Sequence, residues 1–236
     1  MTRHAYLVGG QYRKSLSGVS LDIAAWKNYL LSAIGGSWYA DEIEDLSGVD
    51  SSVILEEIAR GAQYDYTVVC FAGHGGVMQD GLGFYRTYLY INDDELLCEN
   101  DLNPGSARAM LFLDNCRTKI VPELVNAAMN SLREHFSQCN TRPIYEREIL
   151  RAELGCATVY SAGLNQAAAD NPSFTRTLIA TAQNNNWSNW TGDDGVLRIN
   201  DAVRLCAEVM PPQQVPEYNG GRRLRHFPFA IKPLIV

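Results

Sequence analysis

The chain has 236 residues, 46% hydrophobic and 20% charged, the make-up of a globular protein with a substantial core rather than a disordered or fibrous one. With 27 acidic against 20 basic side chains the net charge is −7, and no basic run interleaves with aromatics, which speaks against nucleic acid as a partner. The apolar run after Met1-Thr2-Arg3-His4 stops at Gly9-Gly10, too short for a signal peptide or a membrane span, so a cytosolic protein away from membranes is expected.

Residues 6–8 predict a first strand closed by Gly9-Gly10. Ser20 is placed to cap a helix whose apolar face runs Ile23, Trp26, Leu30 and Ile34, and Gly35-Gly36 ends it. Residues 38–40 predict a short second strand. Asp50-Ser51-Ser52 offers capping oxygens to a helix through Ile54, Leu55 and Ile58, stopped by Gly61. A continuous apolar run then ends at Gly73-His74-Gly75-Gly76. Residues 84–91 alternate as a hairpin does, and residues 92–97 look like a capped helix start. A second apolar run ends at Asp114-Asn115-Cys116-Arg117. Residues 119–150 are helix-like but polar, with breaks at Pro122 and Pro143. Residues 157–161 predict a fifth strand, and Phe174, Leu178, Ile179 and Ala182 mark an amphipathic helix. A polar loop carrying Trp187 and Trp190 follows, then a helix over 200–210 and a last strand over 227–231. Strands alternating with helices predict an α/β fold, a mostly parallel central sheet with helices on both faces. With no internal repeat or linker, one domain over 1–236 is expected.

Short apolar runs that end in turn chemistry read as buried parallel strands, and reactive side chains just past their carboxyl ends fall where open α/β sheets place their sites. His74 and Cys116 both do so, which makes them a candidate thiol-protease dyad. Histidine suits the proton work because its unperturbed pKa is about 6.5. Gly75 and Gly76 remove bulk, so a backbone N–H there, with that of Cys116, can meet a developing oxyanion. Six cysteines stand at 70, 98, 116, 139, 156 and 206 without metal-ligand spacing, and most read as small core residues. No metal or other cofactor is called for. Arg222-Arg223-Leu224-Arg225 reads as a solvated edge, and His135 as solvated on a polar helix. The acceptor-like strings at Asn186 and Asn189 carry no weight without a secretory signal.

Together these segments resemble the caspase-like cysteine peptidases, the group of metacaspases and short prokaryotic caspase homologues. Leu16-Ser17-Gly18-Val19-Ser20-Leu21-Asp22-Ile23 is similar to that family's segment after the first strand. Phe71-Ala72-Gly73-His74-Gly75 is similar to its His-Gly signature, and Leu113-Asp114-Asn115-Cys116 to its Asp-x-Cys. Tyr160-Ser161-Ala162, Gln166-Ala167 and Ser173-Phe174-Thr175 resemble its fifth strand and the helix after it. The resemblance implies a three-layer caspase-like sandwich and a cysteine endopeptidase with His74 and Cys116 as dyad and Gly75 with Cys116 as oxyanion hole.

For substrate binding, the resemblance points to Asp114, Ala72 and Ser161. Where animal caspases hold a substrate aspartate with arginines, this chain has Leu16 and the arginine-free stretch 167–169. Asp114 stands where metacaspases carry an acid, so cleavage after arginine or lysine is expected; the simpler alternative is that Asp114 caps a turn. Ala72 replaces a serine frequent in metacaspases, Arg117-Thr118 follows the nucleophile, and Leu164-Asn165 stands in place of an acidic pair common in calcium-dependent members. Partners implied are a protein or peptide substrate and a regulatory protein, and prokaryotic relatives of this size suggest a defence or cell-death setting. The basic preference makes Arg133 and Arg147 candidate self-processing sites, Arg142 being spoiled by Pro143. Two rivals remain: a non-catalytic scaffold using the same groove, and a thiol hydrolase acting on a non-peptide amide or ester.

Overall fold

Three apolar runs become the middle of one sheet. Strands β1 (Arg3–Gly9), β3 (Tyr66–Ala72) and β7 (Arg108–Asp114) are buried almost throughout. That is why each reads as a continuous apolar run and not as an alternation. β2 (Ile43–Asp45) and β8 (Gly155–Tyr160) extend the parallel sheet on either side, and β10 (Glu217–Asn219) closes one edge antiparallel. The order is β10-β8-β7-β3-β1-β2. The computed structural model describes residues 1–12, 17–80, 82–118, 140–169, 173–183 and 195–232. Leu16, Arg133, His135, Cys139, Asn186, Trp187, Asn189 and Trp190, singled out above, lie outside them.

The period of two along each strand divides the core between two faces. Leu7, Cys70, Phe112 and Val159 face Trp26 and Leu30 of α1 (Ser17–Leu31), Tyr145 and Ile149 of α3 (Arg142–Arg151), and Phe174 and Leu178 of α4 (Phe174–Gln183). α5 (Ile199–Val209) completes this layer with a two-stranded sheet of β9 (Val196–Arg198) and β11 (Pro228–Ile231). On the other face Val8, Phe71 and Leu113 meet Ile54 and Ile58 of α2 (Ser51–Ala59). There a second sheet of β4 (Gly75–Gln79), β5 (Tyr85–Tyr90) and β6 (Leu96–Cys98) contributes Leu89 and Leu97. Helices cover both faces, as expected, though the second face shares its cover with strands.

Several local expectations change. α1 begins at Ser17, so Ser20 lies inside the helix and does not cap it, and Ile34 lies past its end. The second strand is at 43–45 and not at 38–40: Trp38 is buried beneath Arg3, whose guanidinium lies 4.3 Å from its ring, while Ile43 takes the pairing with Ala5. Asp50 is the N-cap residue of α2 but makes no capping hydrogen bond; the Ser51 N–H donates to Glu95 Oε2 at 3.0 Å instead. Residues 92–95 are a turn and not a helix start. Asn92 Oδ1 accepts the Asp94 N–H, and Asn92 Nδ2 donates to Glu95, so these polar groups close a bend that leads into β6. Residues 84–91 supply one strand, the middle of a three-stranded sheet. The last strand pairs with β9 and not with the central sheet. Pro143 starts α3 rather than breaking a helix, since a first-turn proline gives up no intrahelical bond.

Candidate active site at the carboxyl ends of β3 and β7

β3 and β7 run parallel in a register that pairs Ala72 with Asp114, and the Gly73 N–H donates to the Asp114 carbonyl at 3.0 Å. The two strands therefore end level. His74 and Cys116 each come two residues after this last pair, at one end of one sheet, and both are partly exposed. Their neighbours explain how the backbone turns there. The Tyr90 N–H donates to the His74 carbonyl at 3.0 Å, and the Tyr12 ring meets the imidazole edge-on at 5.3 Å. A side chain at Gly75 would collide with the Asn115 amide and lie 2.8 Å from the Tyr88 carbonyl. Only glycine lets the two tips approach so closely. Asn115, passed over in the sequence, braces the other tip by donating to the Cys116 carbonyl at 2.7 Å.

The loop after β8 packs against Cys116. The Ala168 N–H lies 3.3 Å from Sγ, and the Ala168 carbonyl lies 3.5 Å from it. Arg117 ties down the same loop: its N–H donates to the Gln166 carbonyl, its carbonyl accepts the Asn165 N–H, and its guanidinium lies 3.9 Å over Tyr160. Gln214 does so from the far side. Its buried amide accepts the Ala169 N–H at 2.9 Å and donates to the Ser161 carbonyl at 3.0 Å. Nothing in the local sequence marks Gln214, because its partners are 45 and 53 residues away. Ser161 differs from the expectation. It is fully buried, and its hydroxyl accepts the Asn115 N–H and donates to the Asn115 carbonyl, so it staples the nucleophile turn rather than facing a groove. Ala72 is likewise buried, beside Asp114.

Asp114 is 8% exposed, and its Oδ2 accepts the Thr175 N–H at 2.8 Å, at the start of α4. It thus receives a helix amino terminus, but that of α4 and not of the turn that follows it. Burial first, and then the charge of Asp22, push its carboxyl up to about 7, against the hydrogen bonds of Thr175 and Ser161. Asp22, on α1, accepts the Ser173 hydroxyl at 2.7 Å and pairs with Arg176 at 2.9 Å. Two carboxyl groups and one guanidinium, from three separate elements, are gathered here. Only Asp114 was singled out in the sequence as a substrate contact.

The other described cysteines are poor nucleophiles. Burial holds Cys70 well above the ordinary thiol range, raises Cys98, lifts Cys156 to about 11, and with the Asp114 charge lifts Cys206 to about 12. Among the described residues no group of three or more His, Cys, Asp or Glu side chains is gathered as a metal site would require, and no helix is long and apolar enough to cross a membrane.

The comparisons agree with this architecture. Protein GSU0716 from Geobacter sulfurreducens superimposes with a TM-score of 0.63 at 14% identity, covering 98% of this chain and 99% of that one. Caspase-1 from Spodoptera frugiperda superimposes with a TM-score of 0.58 at 12% identity, covering 98% and 92%. At such identities the likeness is one of fold. A search of curated protein sequences finds no match. The sequence model of the caspase domain of peptidase family C14 matches residues 2–227. The chain therefore belongs to the caspase-domain family of cysteine peptidases and has its mostly parallel α/β sandwich.

Proposed function

We propose that the chain is a cysteine endopeptidase, acting as a single peptidase domain on protein substrates, with Cys116 as nucleophile and His74 as acid–base. The observation that carries this reading is the level ending of β3 and β7, with Gly75 small enough for the tips to meet. The Cys116 thiolate attacks the scissile carbonyl carbon, and the oxyanion takes the N–H groups of Gly75 and Cys116. The imidazolium of His74 gives its proton to the leaving amine as the C–N bond breaks and a thioester remains. Water, deprotonated by His74, then hydrolyses the thioester and returns the thiol. No step needs a cofactor.

Arginine or lysine before the cleaved bond is the preference we assign, with Asp114 as the group that receives the cation. A defence or cell-death setting in a prokaryotic cytoplasm follows from the resemblance alone, and so does control by a regulatory partner. Self-processing after Arg147 is disfavoured, because Arg147 lies within α3 and a protease reads extended backbone; Arg133 is the remaining candidate.

Hydrolysis of a fluorogenic peptide library by wild type, Cys116→Ala and His74→Ala tests the reading. Wild type is expected to cleave after basic residues and both variants to lose activity at least a thousandfold while keeping their circular dichroism. Full activity in either variant removes the dyad. A protein that hydrolyses no peptide but turns over a thioester or aryl ester would be a thiol hydrolase, and one with neither activity a binding scaffold.

A further inference from the structure

The acid pair beside Cys116 brings its own cation. Asp114 ends β7, Asp22 lies on α1, and Arg176 projects from the first turns of α4. The Arg176 Nε–H lies 2.9 Å from both Asp22 Oδ1 and Ser173 Oγ, and the Ser173 hydroxyl bonds Asp22 at 2.7 Å. The Arg176 side chain is only 11% exposed and that of Asp22 8% exposed, so solvent screens this charge little. Asp114 is bound instead by the Thr175 N–H. Of the two acids, then, one is balanced by a guanidinium of the chain itself, and the other by a backbone dipole.

We infer that Arg176 is a specificity-determining residue: as an internal counter-cation on Asp22, it sets how much negative charge the acid pair presents to a substrate side chain. The inference rests on the reading of Asp114 as the cation-receiving group and goes further, because it makes preference a property of three residues. With Arg176 in place one carboxyl of the pair, Asp114, is held by neutral donors, the Thr175 N–H and the Ser161 hydroxyl, and not by a guanidinium, so it can take one guanidinium or ammonium. Without it, two carboxyls face the substrate and basic side chains gain. With Asp22 neutralised, the Arg176 charge loses that carboxylate and opposes an incoming cation. The elevated Asp114 titration is compatible with this, since burial first and the charge of the neighbouring Asp22 second both favour its protonated form. Because the Arg176–Asp22 pair is little exposed and its charges are weakly screened, each change is expected to alter cation binding about tenfold.

The test uses benzamidine as the cation and benzamide as its neutral counterpart, measured by calorimetry on Cys116→Ala protein so that catalysis plays no part. Adding Arg176→Gln, which keeps a donor to Asp22 but removes the charge, should raise the benzamidine-to-benzamide affinity ratio about tenfold. Asp22→Asn should lower it by a similar factor. A merely structural Arg176 would weaken both ligands together and leave the ratio unmoved. A ratio unchanged in both variants, or moving the same way in both, overturns the inference, as does wild-type binding that ignores the ligand's charge. Should Arg176→Gln not fold, Asp22→Asn decides alone: a ratio that does not fall overturns it. Loss of the peptidase reading would show separately, in the peptide assay, and would leave these ratios standing.

Discussion

Two guanidiniums largely shielded from water, those of Arg3 and Arg176, sit toward opposite ends of the central sheet, and the charges around them differ. Arg3, at the amino end of β1, is enclosed: it bonds the Gly36 and Ser37 carbonyls, lies over Trp38, and pairs with Glu42 at 3.4 Å and Glu146 at 3.8 Å. Arg142 reaches the same two carboxylates at 2.6 and 2.7 Å. The Met1 ammonium adds a third cation, 4.0 Å from Glu146, so the two anions are fully matched. Burial alone would raise the Glu42 carboxyl, but the bonds from Arg142 and Tyr39 and the charge of Arg3 hold it below the usual range. At the carboxyl end, two acids meet one arginine, and Asp114 is pushed up instead. A closed balance fastens the fold; an open one leaves a group that a ligand can complete.

Breaking the closed end should have the largest effect. Arg3→Met removes a fully buried guanidinium, strips the Gly36 and Ser37 carbonyls of their donor and leaves the half-buried Glu42 and Glu146 to Arg142 and the amino terminus; it is expected to cost about 3–5 kcal/mol in urea unfolding, with the benzamidine-to-benzamide ratio unchanged. A change in that ratio at constant fold would mean that the two ends are coupled and the contrast between them is false.

The open end should respond in the opposite sense. Asp114 titrates near 7 when folded against an ordinary value of 3.8, so between these values the native state holds a proton that the unfolded chain has released. Stability from this source is fully present below about pH 4 and is lost as pH rises through about 7, by at most about 4 kcal/mol. Asp114→Asn, whose side-chain oxygen can still accept the Thr175 N–H, should melt higher than wild type at pH 8 and lose most of the fall between pH 5 and 8. A wild type whose melting temperature rises over that interval would contradict the assignment.

What the sequence revealed follows from where burial is complete. β1, β3 and β7 are covered on both faces, so their apolar runs, and hence the tips bearing His74 and Cys116, stand out along the chain. β2 is Ile-Glu-Asp and β10 is Glu-Tyr-Asn, three residues each at the sheet edges, with no periodicity to find. Trp38 drew the second strand to itself because a large aromatic suits a strand, whereas its place is decided by a cation 35 positions earlier, at Arg3. Residues 167–169, where the resemblance would place a pocket arginine, are all alanine. The arginine that meets Asp22 is Arg176 on α4, 154 residues along the chain. Such pairings are made by α1 packing on α4, a tertiary event with no local signature.

The smallest expected effect separates global from local fastening. Gln214 spans the Ala169 N–H and the Ser161 carbonyl beneath the loop that touches Cys116, and it is 3% exposed. Replacing it with methionine keeps the volume but strands one donor and one acceptor, a cost of about 1–3 kcal/mol. Because these groups belong to a loop and not to a strand of the sheet, the penalty should appear as local opening. Amide exchange at Ala168 and Ala169 should quicken by at least tenfold while exchange in β3 and β7 stays slow, and the alkylation rate of Cys116 should change as its neighbour moves. In Arg3→Met, by contrast, exchange should quicken throughout the sheet. If Gln214→Met instead loosens β3 and β7 to the same extent, the loop is part of the cooperative core, and the carboxyl end is no less closed than the amino end.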